Sequence, residues 1–200
     1  MADLTIPVIE TERLFLRGPK DADMEPLTAT MANPEVLRYI PRTRGLTPRQ
    51  RAERRYRGIE QLWQAQPLEA FGWVVALKAS DQFVGWAIAE PMEGTVDGEV
   101  AYFLDQPYWG HGYATEATRA MVRYGFEHTD WERIVAAIML GNSASMRVVE
   151  RLGFVYERDL DYCELTGGAD LDMTNPMTRF YALSRAAFTP GAALYHAPGV

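Results

Sequence analysis

A glycine-rich turn between a strand pattern and a helix pattern constrains the fold of this chain more than any other feature. The turn spans residues 108–112, follows the strand-like segment 99–105 and precedes apolar residues that recur at helical spacing. The first amides of a helix have no intrahelical carbonyl to bond, and Gly110 and Gly112 let the main chain approach an anion closely. The turn therefore predicts a phosphate-binding site made of backbone donors; a tight turn without a ligand is the alternative interpretation.

The composition indicates one folded domain and excludes several classes of protein. The chain has 200 residues, of which 48% are hydrophobic and 24% charged, and a net charge of -7. That charge disfavours general nucleic-acid binding, which depends on Lys and Arg neutralising phosphates. No apolar run approaches the roughly 20 residues of a membrane span. The acidic N-terminus lacks a signal-peptide pattern, so we expect a cytoplasmic protein.

Cysteine and histidine are too few for a disulfide or a zinc cluster. The one cysteine, Cys163, cannot form an internal disulfide, and His111, His128 and His196 are far apart in the sequence. No pair of these residues has the spacing of a metal-binding motif. We therefore expect no metal cofactor.

Alternating strand and helix patterns predict an α/β (α+β) fold in a single domain. Seven segments have strand patterns: 13–17, 71–77, 83–89, 99–105, 134–140, 154–157 and 177–183. Four helices are expected to begin near Asp21, after Thr47, after Gly112 and near Ser143. The prediction is a mixed, largely antiparallel sheet of about six or seven strands with about four helices on both faces. The domain occupies residues 1–188, with a tail at 189–200.

Three tryptophans and a run of arginines in the first half of the chain are assigned to the core and to a helix surface, respectively. Trp63, Trp73 and Trp86 are expected in the core rather than as stacking surfaces for a ligand. The segment 49–57 contains five arginines. The favoured interpretation is the solvated face of the second helix, which we expect to end near residue 66; the alternative is a surface that touches RNA.

Two common nucleotide-binding motifs do not match the glycine-rich turn. A dinucleotide fingerprint needs a third glycine where Thr115 stands. A P-loop needs Gly-Lys followed by Ser or Thr, and that tripeptide is absent from the chain. A different kind of anion site is therefore required if the turn binds phosphate.

A second group of polar residues follows the apolar strand 134–140. Asn142 is a natural helix N-cap, and Ser145 lies three residues further on. At this spacing the two side chains can contact the same ligand group at the start of the helix. Each of the two alone is an ordinary capping residue. Their functional interpretation depends on their combination with the glycine-rich turn.

Three segments of the chain together match one known family. The first is Thr11-Glu-Arg-Leu, the second is the run 108–117, and the third is Asn142-x-x-Ser-x-Arg147 followed by Glu150-x-x-Gly-Phe154. In this combination, over residues 11–158, the chain resembles the GNAT superfamily of acetyl-coenzyme A-dependent N-acetyltransferases. Within it, the chain is similar to the branch of ribosomal-protein N-terminal (alanine or serine) acetyltransferases.

The resemblance implies which residues hold acetyl-coenzyme A. The backbone around Phe103 and Leu104 would pair with the pantetheine arm as an added strand. Asn142 and Arg147 would contact the cofactor, and Trp109 stands where family members often carry Gln or Arg. The amides of six consecutive residues would hold the pyrophosphate: Gly110, His111, Gly112, Tyr113, Ala114 and Thr115.

Two catalytic groups follow from the resemblance and from the residues. Many family members protonate the departing thiolate with a tyrosine where this chain has Val149, so Ser145, beside Asn142, is the substitute acid. Glu99 is the candidate base, acting directly or through a water; an exposed edge-strand glutamate is its alternative interpretation. An α-amine with a pKa near 8 costs roughly 1 kcal/mol to deprotonate at pH 7, against roughly 4–5 kcal/mol for a lysine-like amine.

The predicted function is acetyl transfer from acetyl-coenzyme A to a primary amine, by direct attack in a ternary complex, with a protein N-terminus as the acceptor. The alternatives are a small-molecule amine (an aminoglycoside, a polyamine or an amino acid) and a non-catalytic coenzyme A-binding domain. Fold and cofactor site do not set the acceptor. The expected partners are acetyl-coenzyme A and the amine, without membrane or nucleic acid; a homodimer is left open.

Overall fold

Ten strands and five helices make up the described part of the chain, which comprises residues 6–40, 42–43, 45–65, 68–92, 94–161, 171–172 and 177–189 of this computed structural model. The strands are β1 (Ile9–Glu10), β2 (Leu14–Arg17), β3 (Arg42–Thr43), β4 (Phe71–Leu77), β5 (Phe83–Pro91), β6 (Gly98–Leu104), β7 (Arg133–Met139), β8 (Val155–Asp161), β9 (Leu171–Asp172) and β10 (Met177–Ser184). The helices are α1 (Met24–Thr30), α2 (Pro34–Leu37), α3 (Pro48–Gln64), α4 (Tyr113–His128) and α5 (Ser143–Arg151).

Eight of the strands form one sheet in the order β1-β2-β4-β5-β6-β7-β10-β8. Neighbours run antiparallel except β6 and β7, which are parallel, and β3 pairs separately with β9. The predicted mixed, largely antiparallel α/β fold is confirmed. The sheet has one strand more than expected because the two-residue β1 is too short to show an alternating pattern. The additional helix is α2, a single turn capped by Asn33.

The helix ends follow local capping chemistry. The Thr47 side chain accepts a hydrogen bond from the Gln50 amide, and the Gln50 side chain accepts one from the Thr47 amide, so α3 begins where the sequence predicts. The helix ends at Gln64, slightly before the expected position. Gly153, with a φ of +89°, follows α5 in the left-handed conformation that ends many helices.

Side chains of the sheet divide between a face covered by α3 and a face covered by α4 and α5. Gly72 on β4 faces α3, since a Cβ built there would lie 3.2 Å from Cγ1 of Ile59. Its neighbours Phe71 and Trp73 face the other way, with ring centroids 5.0 and 5.2 Å from that of Tyr124 on α4. Directly paired residues of neighbouring strands share a face. The register therefore assigns the residues of β5 and β6 to one face or the other.

This assignment separates two sets of residues along β6. Gly72 pairs with Ile88 on β5, so the alternate residues Trp86 and Glu90 also lie on the α3 face. Their partners on β6, Phe103 and Glu99, lie on that face as well. Tyr102, which pairs with Ala87, lies on the opposite face, towards α4 and α5.

An aromatic cluster joins α3 and α4 to the first residues of β4. Its ring centroids are 5.0 to 6.2 Å apart, and most pairs meet edge to face or tilted. The predicted burial of Trp63, Trp73 and Trp86 is confirmed. The members of the cluster are Trp63, Phe71, Trp73, Tyr124 and Trp131.

Some sequence predictions lie outside the described residues, namely those on Cys163, His196 and all but the first residue of the expected tail at 189–200. Within the described ranges, no helix is long and apolar enough to cross a membrane. The same ranges contain no group of three or more His, Cys, Asp or Glu side chains placed to hold a metal ion.

A buried ion pair fixes β2 against the turn that follows it. Arg17 is 5% exposed, and its guanidinium donates to both carboxylate oxygens of Asp23 at 2.7 and 3.0 Å. The same guanidinium donates to Asp81 at 2.6 Å, and Asp23 also accepts the Lys20 amide at 2.7 Å. Removing Asp23 would leave the buried guanidinium with the partly exposed Asp81 as its remaining carboxylate partner.

Replacing Asp23 with Ala is therefore expected to lower the free energy of unfolding by about 1.5–3 kcal/mol, because Asp81 still pairs with Arg17. The exposed Glu25 in the same segment supplies a matched control, because Glu25→Ala is expected to change stability by less than about 0.5 kcal/mol. Urea unfolding of both variants measures the difference. Equal effects of the two substitutions would contradict a structural role for the Arg17–Asp23 pair.

Candidate active site

The sheet separates between β6 and β7, and a cavity of about 610 Å³ opens there. The two parallel strands pair only at Gly98 with Ile134 and at Glu99 with Val135. Beyond those residues β7 follows β10 along its whole length, while β6 follows β5. The second halves of β6 and β7 therefore have backbone groups that face a gap rather than another strand.

The register of β5 and β6 determines which amides face this gap. The Asp105 amide donates to the Val84 carbonyl at 2.8 Å, and the Met92 amide donates to the Asp97 carbonyl at 2.9 Å. Because an antiparallel ladder alternates, odd-numbered residues of β6 bond to β5 and even-numbered ones point towards β7. The amides of Tyr102 and Leu104 therefore face the gap.

The sequence prediction named the backbone around Phe103 and Leu104, and the register distinguishes the two amides. The Leu104 amide faces the gap, whereas the Phe103 amide is directed towards β5. The Phe103 ring instead stacks on Trp86, with centroids 5.6 Å apart and planes 12° apart. The second amide that faces the gap is that of Tyr102, a residue that no sequence pattern singled out.

The glycine-rich turn presents unpaired amides at the start of α4. Gly110 and Gly112 both have a φ of +80°, a conformation that other residues rarely adopt. The first helical hydrogen bond of α4 runs from the Glu116 amide to the Gly112 carbonyl at 3.1 Å. The amides of Tyr113, Ala114 and Thr115 therefore have no helical acceptor and lie at the positive end of the helix dipole.

Three residues, Thr11, Arg13 and Glu116, hold this turn in place, and we call them the N-terminal clasp. The Thr11 hydroxyl and the Arg13 amide donate to Oε1 of Glu116 at 2.6 and 2.8 Å. The Arg13 guanidinium donates to Oε2 of Glu116 at 2.8 Å and to the His111 carbonyl at 2.9 Å. The Thr-Glu-Arg-Leu segment thus has a structural explanation: it connects β2 to the turn.

The side chains of Trp109 and His111 contact the protein itself. Trp109 Nε1 donates to the Leu104 carbonyl at 2.8 Å, so the indole joins the turn to β6. The His111 ring stacks on Tyr113, with centroids 5.6 Å apart, and its Nδ1 lies 2.8 Å from the Trp109 carbonyl. Backbone amides, rather than these two side chains, are the groups that the turn leaves available to an anion.

Asn142 and Ser145 line the same cavity from the start of α5. Asn142 is the N-cap, as predicted, and its side-chain oxygen accepts the Ser145 amide at 3.2 Å. Val149 is fully buried in the cavity wall. Arg147 is exposed on the other side of the helix and is not part of the cavity lining, so its contact with a cofactor stays a prediction.

The hydroxyl of Tyr102 lies in the cavity beside Ser145. It is buried and has no hydrogen-bond partner of normal geometry among the described residues. Burial raises the pKa of Tyr102 to about 12, and the nearby Ser145 side chain opposes this only partly. An unpaired buried hydroxyl is costly unless a ligand or water satisfies it, so Tyr102 is a candidate ligand contact.

Two carboxylates face the cavity from the α3 side of the sheet. Glu90 and Glu99 are directly opposite each other on β5 and β6. Burial, reinforced by the charge of Glu90, raises the pKa of Glu99 to about 7. Burial also raises the pKa of Glu90, against the opposing charge of Arg55. Glu99 is therefore a partly buried acid that changes protonation near neutral pH, and the edge-strand interpretation does not apply to it.

Comparison with known proteins agrees with this geometry. The family model described as acetyltransferase (GNAT) domain matches residues 13–155. The uncharacterized N-acetyltransferase YoaA of Bacillus subtilis is 29% identical over 156 residues, which are 76% of this chain and 84% of that protein. The structure of Mycobacterium smegmatis RimJ in complex with CoA-disulfide has 17% identity and a TM-score of 0.72 and covers 91% of both chains.

A second solved structure, the ribosomal-protein-S5-alanine acetyltransferase of Vibrio fischeri, has 21% identity and a TM-score of 0.70 and covers 92% of this chain and 99% of that one. The two solved structures share the fold of this chain, and the family model that matches more than half of the chain is that of an acetyltransferase domain. The chain belongs to the GNAT family and is an acetyl-coenzyme A-dependent N-acetyltransferase. The predicted fold and enzyme class are thereby confirmed.

Replacing Glu99 with Gln is expected to stabilise the ligand-free protein at neutral and alkaline pH. As the pH rises from about 4.5 to about 7, the unfolded chain releases a proton that folded Glu99 retains, so the stability of the natural protein falls through this window. The variant lacks this loss, and its free energy of unfolding should exceed that of the natural protein by about 2–3 kcal/mol above pH 7.

Urea titrations at about pH 4.5 and pH 8 measure this difference in stability. The exposed Glu132 supplies a control, because Glu132→Gln should give the same small difference at both values. A Glu99→Gln difference that does not grow with pH would show that this carboxyl titrates normally in the folded protein.

Proposed function

We propose that the protein acetylates the α-amine of a peptide N-terminus by direct attack of the amine on acetyl-coenzyme A in a ternary complex. The observation that carries this proposal is the placement of Glu99 and of the Tyr102–Ser145 pair on opposite faces of the sheet at the same gap. One face then receives the acceptor and the other receives the thioester. Each reactant meets the proton-transfer group that it requires.

The residues present fit acetyl-coenzyme A. The amides of Tyr113, Ala114 and Thr115 have no helical acceptor, and they would bind the pyrophosphate together with the amides of residues 110–112. The gap-facing amides of Tyr102 and Leu104 would bond the pantetheine arm as an added strand. Asn142 has its side-chain oxygen engaged in capping, which leaves its NH₂ group to donate to the same arm.

Glu99 acts as the general base in this proposal. Its pKa of about 7 allows it to accept a proton at physiological pH and to release it to solvent afterwards. A base of this strength is matched to an α-amine, whose pKa near 8 is only about one unit higher. A lysine-like amine would need roughly 4–5 kcal/mol at pH 7. This match supports an N-terminal amine over a side-chain amine.

The opposite face supplies the groups that meet the leaving thiolate and the carbonyl oxygen. A carbon–nitrogen bond forms as the amine attacks, the carbon–sulfur bond breaks, and the amine proton passes to Glu99. The Ser145 hydroxyl protonates the sulfur and recovers its proton from solvent, while the neutral Tyr102 hydroxyl donates a hydrogen bond beside it. The gap-facing amides of β6 would stabilise the oxyanion as it forms.

Direct transfer needs no covalent intermediate on the protein. The residues that line the cavity in the described part of the chain include neither cysteine nor histidine. Ser145 lies beside Tyr102 in the first turn of α5, and the described residues of the cavity wall include no histidine that would activate it as a nucleophile. The arrangement therefore supports the ternary-complex route.

Thiol release from acetyl-coenzyme A, followed across a panel of amines, tests the acceptor class. Short peptides with a free N-terminus are expected to release coenzyme A, whereas the same peptides with an acetylated N-terminus are not. Aminoglycosides, polyamines and amino acids complete the panel. Turnover confined to small molecules would overturn the peptide assignment, and coenzyme A binding without turnover of any amine would indicate a non-catalytic domain.

The role of Glu99 predicts a specific change in the pH–rate profile. In the natural protein kcat should fall below about pH 7 as Glu99 becomes protonated. Glu99→Gln should lower kcat by about 100-fold near pH 8 and remove the inflection of the pH–rate profile near pH 7. Glu132→Gln should keep the kcat and the inflection of the natural protein. Persistence of the inflection in the Glu99→Gln variant would assign it to another group, such as the amine itself.

A further inference from the structure

The cavity contains a second carboxyl group, that of Glu90, to which the proposed mechanism gives no role. Glu90 lies near the end of β5, is half-buried and lines the same cavity as Glu99. Burial raises its pKa, so it is not an ordinary surface glutamate. Enclosing a carboxylate costs free energy, and titratable groups with shifted pKa values concentrate at functional sites. The position of Glu90 beside the candidate base therefore indicates a part in the reaction.

Strand register places the two carboxyl groups side by side. Glu90 and Glu99 are direct partners across β5 and β6 and project from the same face of the sheet. Directly opposed residues of an antiparallel pair have Cβ atoms about 5 Å apart. Two carboxylates this close repel each other, and the repulsion is stronger when both are withdrawn from water. The second negative charge on this pair is therefore harder to form than the first.

Arg55 makes the two members of the pair unequal. Its guanidinium lies 4.7 Å from the ring centroid of Trp86 and 5.4 Å from that of Phe103, on the same face of the sheet as the two glutamates. Burial raises the pKa of Glu90, and the positive charge of Arg55 opposes this rise. Burial and the charge of Glu90 both raise the pKa of Glu99. Glu90 therefore loses its proton first and Glu99 second.

Other titratable groups approach the pair from neighbouring elements. Asp97, which directly precedes β6, is ion-paired with Arg133 of β7 at 2.6 Å. Tyr102 lies on the opposite face of the sheet. The remaining titratable groups of the described cavity lining, on α3 and after α2, are Tyr39, Arg51, Arg54 and Arg55. Among all these groups, the charge that raises the pKa of Glu99 is that of Glu90.

Resting on the proposed role of Glu99 as the base, we propose that Glu90 is a positioning residue that acts through Glu99 and makes it a stronger acceptor of the amine proton. In the transfer, the amine nitrogen gives its proton to a carboxylate oxygen of Glu99, while Glu90 keeps its charge. Protonation of Glu99 relieves the repulsion within the pair, so this repulsion favours the transfer. The proton then passes from Glu99 to solvent.

The kinetic test is the pH–rate profile of Glu90→Gln, which removes the charge and nearly keeps the size of the side chain. The inflection of kcat near pH 7 should move to lower pH by about one unit, because burial still acts on Glu99. The plateau of kcat should fall about threefold, since the base is weaker. At pH 6 the variant should keep about half of its plateau rate, against about a tenth for the natural protein.

Two controls separate the charge of Glu90 from its packing. Glu90→Asp keeps the charge, and its inflection should stay within about 0.3 pH units of that of the natural protein. Glu132→Gln removes an exposed charge outside the cavity and should leave the profile unchanged. A purely structural role of Glu90 would instead alter the rate or the stability of both Glu90 variants without moving the inflection. Circular dichroism verifies that each variant is folded.

A second arm measures the coupling of the two carboxyl groups in the ligand-free protein, without reference to catalysis. Urea unfolding of Glu90→Gln, Glu99→Gln and the double variant at about pH 4.5 and pH 8 forms a double-mutant cycle. At pH 8 either single substitution removes the same repulsion, so the change in the free energy of unfolding of the double variant should fall short of the sum of the two single changes. At pH 4.5 Glu99 is protonated, and the changes should add.

The two arms distinguish failure of this inference from failure of the proposed function. Additive changes at pH 8, or an inflection that Glu90→Gln does not move although Glu99→Gln removes it, would overturn the role of Glu90 and leave Glu99 as the base. An inflection that persists in Glu99→Gln would overturn both roles, and coupling at pH 8 would then show an interacting pair that takes no part in the reaction.

Discussion

The two-residue pairing between β6 and β7 is the constraint on which the rest of the site depends. β7 follows β10 and β6 follows β5, so the two parallel neighbours diverge after Glu99 and Val135. The sheet thereby opens in its own middle and exposes ladder amides that would be costly to bury without partners. A ligand that supplies an extended chain of acceptors completes the ladder. The cavity lies at this opening, and its lining includes Tyr102 and one face of α3.

The alternation of side chains along β6 divides the proton chemistry between two sides of the sheet. Glu99 and Tyr102 are three residues apart and therefore point to opposite faces. In the proposed mechanism, the base on one face and the hydroxyl donors on the other would not neutralise each other by direct contact, and both would act on the reacting centre through the gap. The raised pKa of Glu99 follows from the same enclosure, since burial beside Glu90 disfavours its charged form.

Local sequence patterns predicted the helix ends, whose geometry depends on residues nearby in the sequence. They were less informative about backbone and side-chain directions that depend on pairing with distant strands. The caps Thr47 and Asn142 were predictable because each acts within three residues. The direction of individual amides, such as that of Phe103, could not be predicted because it depends on the register with β5. Tyr102 was missed for the same reason: nothing in the sequence indicates which face of β6 meets α5. Arg49, Arg54 and Arg57 of α3 are exposed, as the solvated-helix interpretation expects, but the partial burial of Arg51 and Arg55 was not predictable because helical periodicity identifies a face and not its neighbour.

The N-terminal clasp has a consequence for the order in which the molecule matures. Its contacts between Glu116 and the residues Thr11 and Arg13 join positions 105 and 103 apart along the chain. Contacts between residues this far apart in the sequence form slowly, because the entropy cost of closing a long loop comes before the contacts can stabilise it. The glycine-rich turn therefore acquires its final shape only once the first strands have docked at the edge of the sheet. If the pyrophosphate binds this turn as proposed, coenzyme A would bind only to molecules in which the first strands have already joined the sheet.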